Sequence, residues 1–172
     1  MSKYNFYVVA GIYGSGKTTY CTDKNTLSTD NIANYAKMMI DYGKISEWIT
    51  KTIGTNNDFY LDGYIFRSDP RLCRLQDVLS KFGQWNVEVI FIYANNIALY
   101  REAFKGKLQY GKIFKELAVC DDGYLKNHIK KIMSNMIAII NGLDIKVTYL
   151  CRTVDGVAQS SLGELQQFID NN

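Results

Sequence analysis

An α/β fold follows from the way apolar runs are spaced along this chain. Strand-like runs alternate with stripes at helical spacing throughout. That pattern predicts a parallel sheet with helices on both faces, a three-layer αβα arrangement. Val87 to Ala94 is nearly all apolar and reads as a buried strand. The glycine-rich stretch Gly11-Ile12-Tyr13-Gly14-Ser15-Gly16-Lys17-Thr18 follows one apolar strand and can open a helix, the junction on which such folds carry their ligands.

Taken in order, the first strand spans about Tyr4 to Ala10 and the helix after the glycine-rich stretch runs to about Cys21. A short second strand lies around Thr26 to Ser28. Asp30 then stands where it can cap a helix carrying Ile32, Tyr35, Ala36, Met39 and Ile40, closed by Gly43. Ile45, Trp48, Ile49 and Ile53 mark a second helical piece stopped by Gly54. The third strand covers about Asp58 to Asp62. Beyond Pro70, the only proline, Leu72, Leu75, Val78, Leu79 and Phe82 form a helical stripe that ends at Gly83. Ile97 to Phe104 reads as a helix. Residues 105–112, basic and marked by Gly106 and Gly111, form a loop that is either a short lid or a plain solvated connection. Leu125 to Ile140 carries a long amphipathic stripe, Ile145 to Leu150 is the last strand, and Ser161-x-x-Glu164 is a capping box for the closing helix. The expectation is five strands in one domain, 1–172.

Composition narrows the function classes. With 47% hydrophobic and 22% charged residues the chain is globular, and no apolar run approaches the ~18 residues a membrane span needs. The first strand begins so early that no secretory leader is expected. Four cysteines lie far apart without a C-x-x-C pair, which favours free thiols in a reducing cytoplasm over a zinc site. A net charge of +3 permits a nucleic-acid partner without arguing for one. The abundance of isoleucine, asparagine, lysine and tyrosine suggests an AT-rich genome, such as that of a virus working in host cytoplasm. Oligomeric state stays open.

The glycine-rich stretch matches G-x-x-x-x-G-K-[ST], the phosphate loop of P-loop NTPases. Glycines let successive N–H groups turn inward on an anion. Gly11, Tyr13, Gly14, Ser15, Gly16, Lys17, Thr18 and Thr19 are therefore the expected ATP-binding residues, with Lys17 on the phosphates and the Thr18 hydroxyl on Mg²⁺. Asp62 closes an apolar strand in Tyr60-Leu61-Asp62-Gly63-Tyr64, where it either manages a metal-bound water or forms a turn. Asp30, after the second strand, is either a general base toward an attacking hydroxyl or a helix cap. Phosphoryl transfer spreads negative charge, so Arg67, Arg101 and Lys107 are candidate cations, with Arg152 a weaker one. His128 falls beside the long stripe and reads as structural.

The order of these motifs resembles the adenylate-kinase-like nucleotide and nucleoside kinases. Leu27-Ser28-Thr29-Asp30 stands near that family's I-S-T-G-D segment, and Leu61-Asp62-Gly63-Tyr64 with Arg67 near its L-D-G-[FY]-P-R segment. The resemblance implies a parallel five-stranded sheet of order 2-3-1-4-5, ATP and Mg²⁺ as cosubstrates, and a nucleoside or nucleotide acceptor between Asp30 and Arg67. Three departures stand out: no Arg follows Asp30 closely, the proline is missing, and Arg67 falls two residues late. Ser28-Thr29-Asp30 also resembles the N-x-D position of polynucleotide 5′-kinases, whose Asp is the general base. The sequence thus predicts a kinase of nucleosides or nucleotides, with a nucleic-acid hydroxyl (a 5′ end or a hydroxymethylated base) as the alternative acceptor. A non-enzymatic nucleotide-binding protein is the third reading. No N-K-x-D motif points to a GTPase.

Overall fold

The computed structural model describes residues 3–34, 39–64 and 69–171. Strand β1 (Tyr4–Ala10) leads through the glycine-rich loop into helix α1 (Lys17–Cys21) and strand β2 (Thr26–Ser28). A 3₁₀ turn, Thr29–Asn31, precedes a small antiparallel pair, β3 (Ala33–Asn34) with β4 (Met39–Ile40), and then α2 (Tyr42–Thr52). The chain continues through β5 (Asp58–Tyr64), α3 (Asp69–Ser80), β6 (Trp85–Ala94), α4 (Ile97–Lys105) and a 3₁₀ turn at Leu108–Tyr110. It finishes with α5 (Lys112–Val119), α6 (Asp122–Asn141), β7 (Lys146–Thr153), β8 (Gly156–Ser160) and α7 (Leu162–Asn171).

The main sheet has six strands in the order β2-β5-β1-β6-β7-β8, which corrects the expected count of five; the five expected strands stand in it as β2-β5-β1-β6-β7, and β8 is added at the edge. It is also mixed. The pairs from β2 to β7 are parallel, whereas β8 runs antiparallel to β7, with Leu150 opposite Gln159 and Arg152 opposite Val157. β8 escapes detection in the sequence because Val157, its one large apolar residue, is exposed, so no buried alternation marks it.

The layering is corrected as well. Buried side chains from α2 through α7 join one core with alternate strand residues Phe6, Val8, Phe59, Leu61, Val89, Phe91 and Tyr93. Residues of the opposite parity, Val9, Ile90, Ile92 and Leu150, pack with Cys21 of α1 and are flanked by Tyr7, Tyr20 and Tyr60. Of the described helices, α1 alone lies in that second core. Below α1 the face is closed by side chains instead. Tyr7 stacks on Tyr60 at 4.7 Å, and the Lys24 ammonium lies 4.2 Å from the Tyr20 ring centre. Glu88, buried on the same face, is held by Lys146 at 3.1 Å and by Thr148. A tyrosine suits this half-covered surface, since its ring excludes water while its hydroxyl stays wet.

Among the described residues between Asp30 and Gly43 the predicted helix is absent. Ser28, not Asp30, caps the 3₁₀ turn by accepting from the Asp30 N–H, and Ala33–Asn34 pairs with Met39–Ile40. Tyr35 and Ala36 of the proposed stripe lie outside the described residues. Asp41 accepts from the Gly43 and Lys44 N–H groups, so Gly43 belongs to the first turn of α2 and does not end a helix. Helix α5 was also unforeseen. The capping box is real in part: Ser161 accepts from the Glu164 N–H, while the Glu164 carboxylate turns to the Ser160 hydroxyl.

One buried bond ties the strand ends to the helices: the Ala94 N–H donates to the Tyr100 hydroxyl at 2.8 Å, with Tyr100 wholly buried. Tyr100→Phe strands that N–H and is predicted to cost about 1–3 kcal/mol in urea denaturation. An unchanged midpoint would show that the bond contributes nothing.

Candidate functional site

The loop after β1 owes its shape to glycine. Gly11 has φ +144°, and a Cβ placed there would lie 2.3 Å from the Ile92 carbonyl oxygen of β6. At Gly16, φ is +101° and a Cβ would meet the Arg152 side chain at 2.8 Å. Backbone therefore passes where no side chain fits, and N–H groups of the loop can converge on one anion. α1 is only five residues long, so the loop amides, more than a helix dipole, define the site.

Lys17 opens α1, and its ammonium donates to the carbonyls of Gly11 (2.8 Å) and Ile12 (2.7 Å). Burial pushes its pKa down to about 8; Lys107 pushes the same way, while Asp62 and Asp30 oppose the shift. Beside it the Thr18 hydroxyl donates to Asp62 Oδ2 at 3.0 Å. Asp62 stands near the end of β5, where Val9 pairs with Asp62 and Ala10 with Tyr64, so Gly63 is the extra residue of a bulge. Burial raises the Asp62 pKa, against the Thr18 hydrogen bond and Lys17, which lower it. Asp62 Oδ1 and the Ser15 hydroxyl are both buried, and neither has a partner among the described residues. Buried polar atoms without partners are rare enough to need a reason.

Two oxygen donors, the Thr18 hydroxyl and the free side of a buried carboxylate, suit a hard cation such as Mg²⁺. The residues present therefore fit the metal that the loop implies, with Thr18 and Asp62 as its holders.

The other predicted residues divide. Asp30 is exposed, yet its charge acts on both Lys17 and Asp62, which places it at the same end of the sheet. Lys107, just after α4, also acts on both. The 105–112 segment is not an open loop, since Leu108–Tyr110 forms a 3₁₀ turn. Thr19 is exposed on α1. Tyr13 turns its side chain away from the loop interior: its hydroxyl bonds His128 Nε2 at 2.8 Å, and its ring packs edge-on against Phe104 and Phe114. His128 is thus the anchor of a loop residue, with its pKa lowered by burial and by Lys131. Arg67 lies outside the described residues.

Arg101 is engaged between helices. Its guanidinium pairs with Asp122 at 2.7 Å and donates to the Ala118 carbonyl at 3.1 Å, joining α4 to the α5–α6 corner. The cation that does reach the loop is Arg152, whose Nη1 donates to the Gly14 carbonyl at 3.2 Å. Its one signal in the sequence is an arginine two residues past the last predicted strand.

No family model matches the chain, and no curated protein matches it. Among solved structures, the fold is similar to a chain from the PezAT chromosomal toxin-antitoxin system of the human pathogen Streptococcus pneumoniae, with a TM-score of 0.50 at 15% identity. The match covers 98% of this chain and 78% of that one. Such a likeness shows the fold alone: an α/β domain with a mixed, mostly parallel sheet.

Two predictions follow from the buried charges. The folded-state pKa of Asp62 is raised, so the ionised carboxylate opposes folding at pH values above the ordinary carboxylate range, and protonation relieves this as pH falls. Asp62→Asn should therefore raise the melting temperature of the metal-free protein at pH 7; a lowered value would refute the account. Lys17 is the mirror case. Its folded pKa lies near 8 against an ordinary 10.5, so its contribution to stability rises as pH climbs from about 8 to 10.5. That rise should vanish in Lys17→Met, read from denaturation curves across the interval.

Proposed function

We propose that this chain is an ATP-dependent phosphotransferase that moves the γ-phosphate of ATP to a nucleoside or nucleotide in the cytoplasm. The observation that carries the reading is the bond from Thr18 to Asp62, with the second oxygen of Asp62 buried beside it and Lys17 on the same loop. A turn-forming aspartate is normally solvated. This one is held dry next to a hydroxyl and an ammonium, the groups that phosphoryl transfer needs.

In this reading the loop amides not already bonded within residues 11–17 and the Lys17 ammonium bind the polyphosphate, and Lys107 adds positive charge from the α4 side. Thr18 and Asp62 would hold Mg²⁺, which when bound would neutralise phosphate charge. Asp30, whose field already reaches Lys17, is placed to accept the proton of an attacking hydroxyl. Tyr13, anchored on His128, holds the outer turn of the loop in place.

A second reading, in which the hydroxyl belongs to a nucleic acid, draws on the acceptor side. No arginine follows Asp30 closely, where members of the nucleotide-kinase family acting on monophosphates carry one, and Arg101 is engaged by Asp122. A hydroxyl acceptor needs the base that Asp30 can supply.

The test is transfer of label from γ-labelled ATP with Mg²⁺ to nucleosides, monophosphates, and single- or double-stranded DNA and RNA. Label on small acceptors supports the first reading, and label only on polynucleotide supports the second. Bound ATP without any acceptor would overturn both. Lys17→Ala is expected to lower transfer by ~10²-fold or more with the fold retained. Asp30→Asn should lower turnover by ~10²–10⁴-fold if Asp30 is the base. Because kcat/KM reports the free enzyme, its value for ATP should decline above pH about 8 as Lys17 loses its proton.

A further inference from the structure

We infer that Arg152 is a nucleotide-binding cation that both sets the shape of the phosphate loop and adds a fixed positive charge to the polyphosphate. The inference rests on the nucleotide reading above and extends it to a residue of β7.

The backbone of Arg152 is unusually well fixed for a residue at a strand end. It pairs with Ala94 of β6 on one side and Val157 of β8 on the other, and its carbonyl accepts from the Asn95 N–H at 3.3 Å. The antiparallel strand β8 thus converts what would be a loose strand end into a three-stranded platform. From it the side chain crosses to the loop, where Nη1 donates to the Gly14 carbonyl at 3.2 Å. Its Cδ would lie 2.8 Å from a Gly16 Cβ, so the glycine leaves the space that the arginine stem fills.

That contact has a directional consequence. In a trans peptide the carbonyl of Gly14 and the N–H of Ser15 point opposite ways. With the carbonyl drawn to Arg152, the Ser15 N–H is turned away from it, toward Ile12, whose carbonyl it meets at 3.3 Å. Arg152 therefore sets the orientation of a loop amide. Among the described residues the guanidinium has one assigned bond, to Gly14, and a guanidinium carries five donors in a planar fork. Its Nε and Nη1 lie 3.7 and 3.8 Å from the Gly16 Cβ position, alongside the segment that would hold the phosphates. A salt bridge would have marked it as structural; the ion pairs of the described residues do not include it.

The test is calorimetric binding of ADP with Mg²⁺, which needs no acceptor, measured at several salt concentrations. Arg152→Gln and Arg152→Ala should weaken binding by roughly 10–100-fold and flatten its salt dependence, because a charge that faced phosphate is gone. Arg152→Lys should keep the salt dependence while recovering only part of the affinity, since the charge survives and the fork does not. Unchanged affinity in Arg152→Gln, or a weakened affinity with the wild-type salt dependence, would overturn the inference and leave the nucleotide reading standing. Wild-type protein that binds no ADP would overturn both. Should Arg152→Ala fail to fold, Arg152→Gln keeps most of the side-chain volume and carries the same decision.

Discussion

The parallel pairing of β1 with β5 on one side and β6 on the other is the constraint on which the rest of the site depends. Registered against β6, β1 delivers Gly11 onto the Ile92 carbonyl, a separation that only glycine tolerates. Registered against β5, it sets Val9 opposite Asp62, and the chain returning through α1 puts Thr18 within 3.0 Å of that carboxylate. A one-residue slip of β5 would turn Asp62 into the helix-covered core, and a slip of β6 would part Gly11 from the Ile92 carbonyl. The hydrophobic alternation of Phe6, Val8, Phe59 and Leu61 enforces the register, so the packing of one face positions the chemistry at the strand ends.

The charges at those ends are held in mutual tension. Lys17 and Asp62 act on each other, both feel Lys107 and Asp30, and burial works against the charge of each. Groups desolvated in this way contribute little or negatively to stability, yet each interacts more strongly with an incoming ion than it would in water. Under the proposed function, that loss is the counterpart of affinity for polyphosphate and a hard cation. The half-open second face of the sheet belongs to the same economy of structure: α1 ends at Cys21, and tyrosines with Lys24 close what a longer helix would cover.

Two cations show how position in the chain misleads. Arg101 precedes the basic segment and looks aimed at the site, but a helical residue points where its face points, and its face meets Asp122 and the Ala118 carbonyl. Arg152 looks incidental after the last strand. Yet in a parallel sheet every strand ends at the same edge, so a residue far along the sequence arrives beside the loop that begins it.

The glycine-rich loop, the strands that flank it and the apolar stripes of α3, α4, α6 and α7 were legible in the residues themselves, because each is written in contiguous positions with a local period. Asp62 was legible for the same reason, as an acid closing an apolar run. The stripe from Ile32 to Ile40 was misleading: its spacing also fits a strand pair, and Asp41 makes a better cap than Asp30. Strand β8, the one-sided stacking of α2 through α7, the diversion of Arg101 and the recruitment of Arg152 were decided only by tertiary structure. Each depends on which face or edge meets which across long separations, and a side chain's local neighbours carry no record of that.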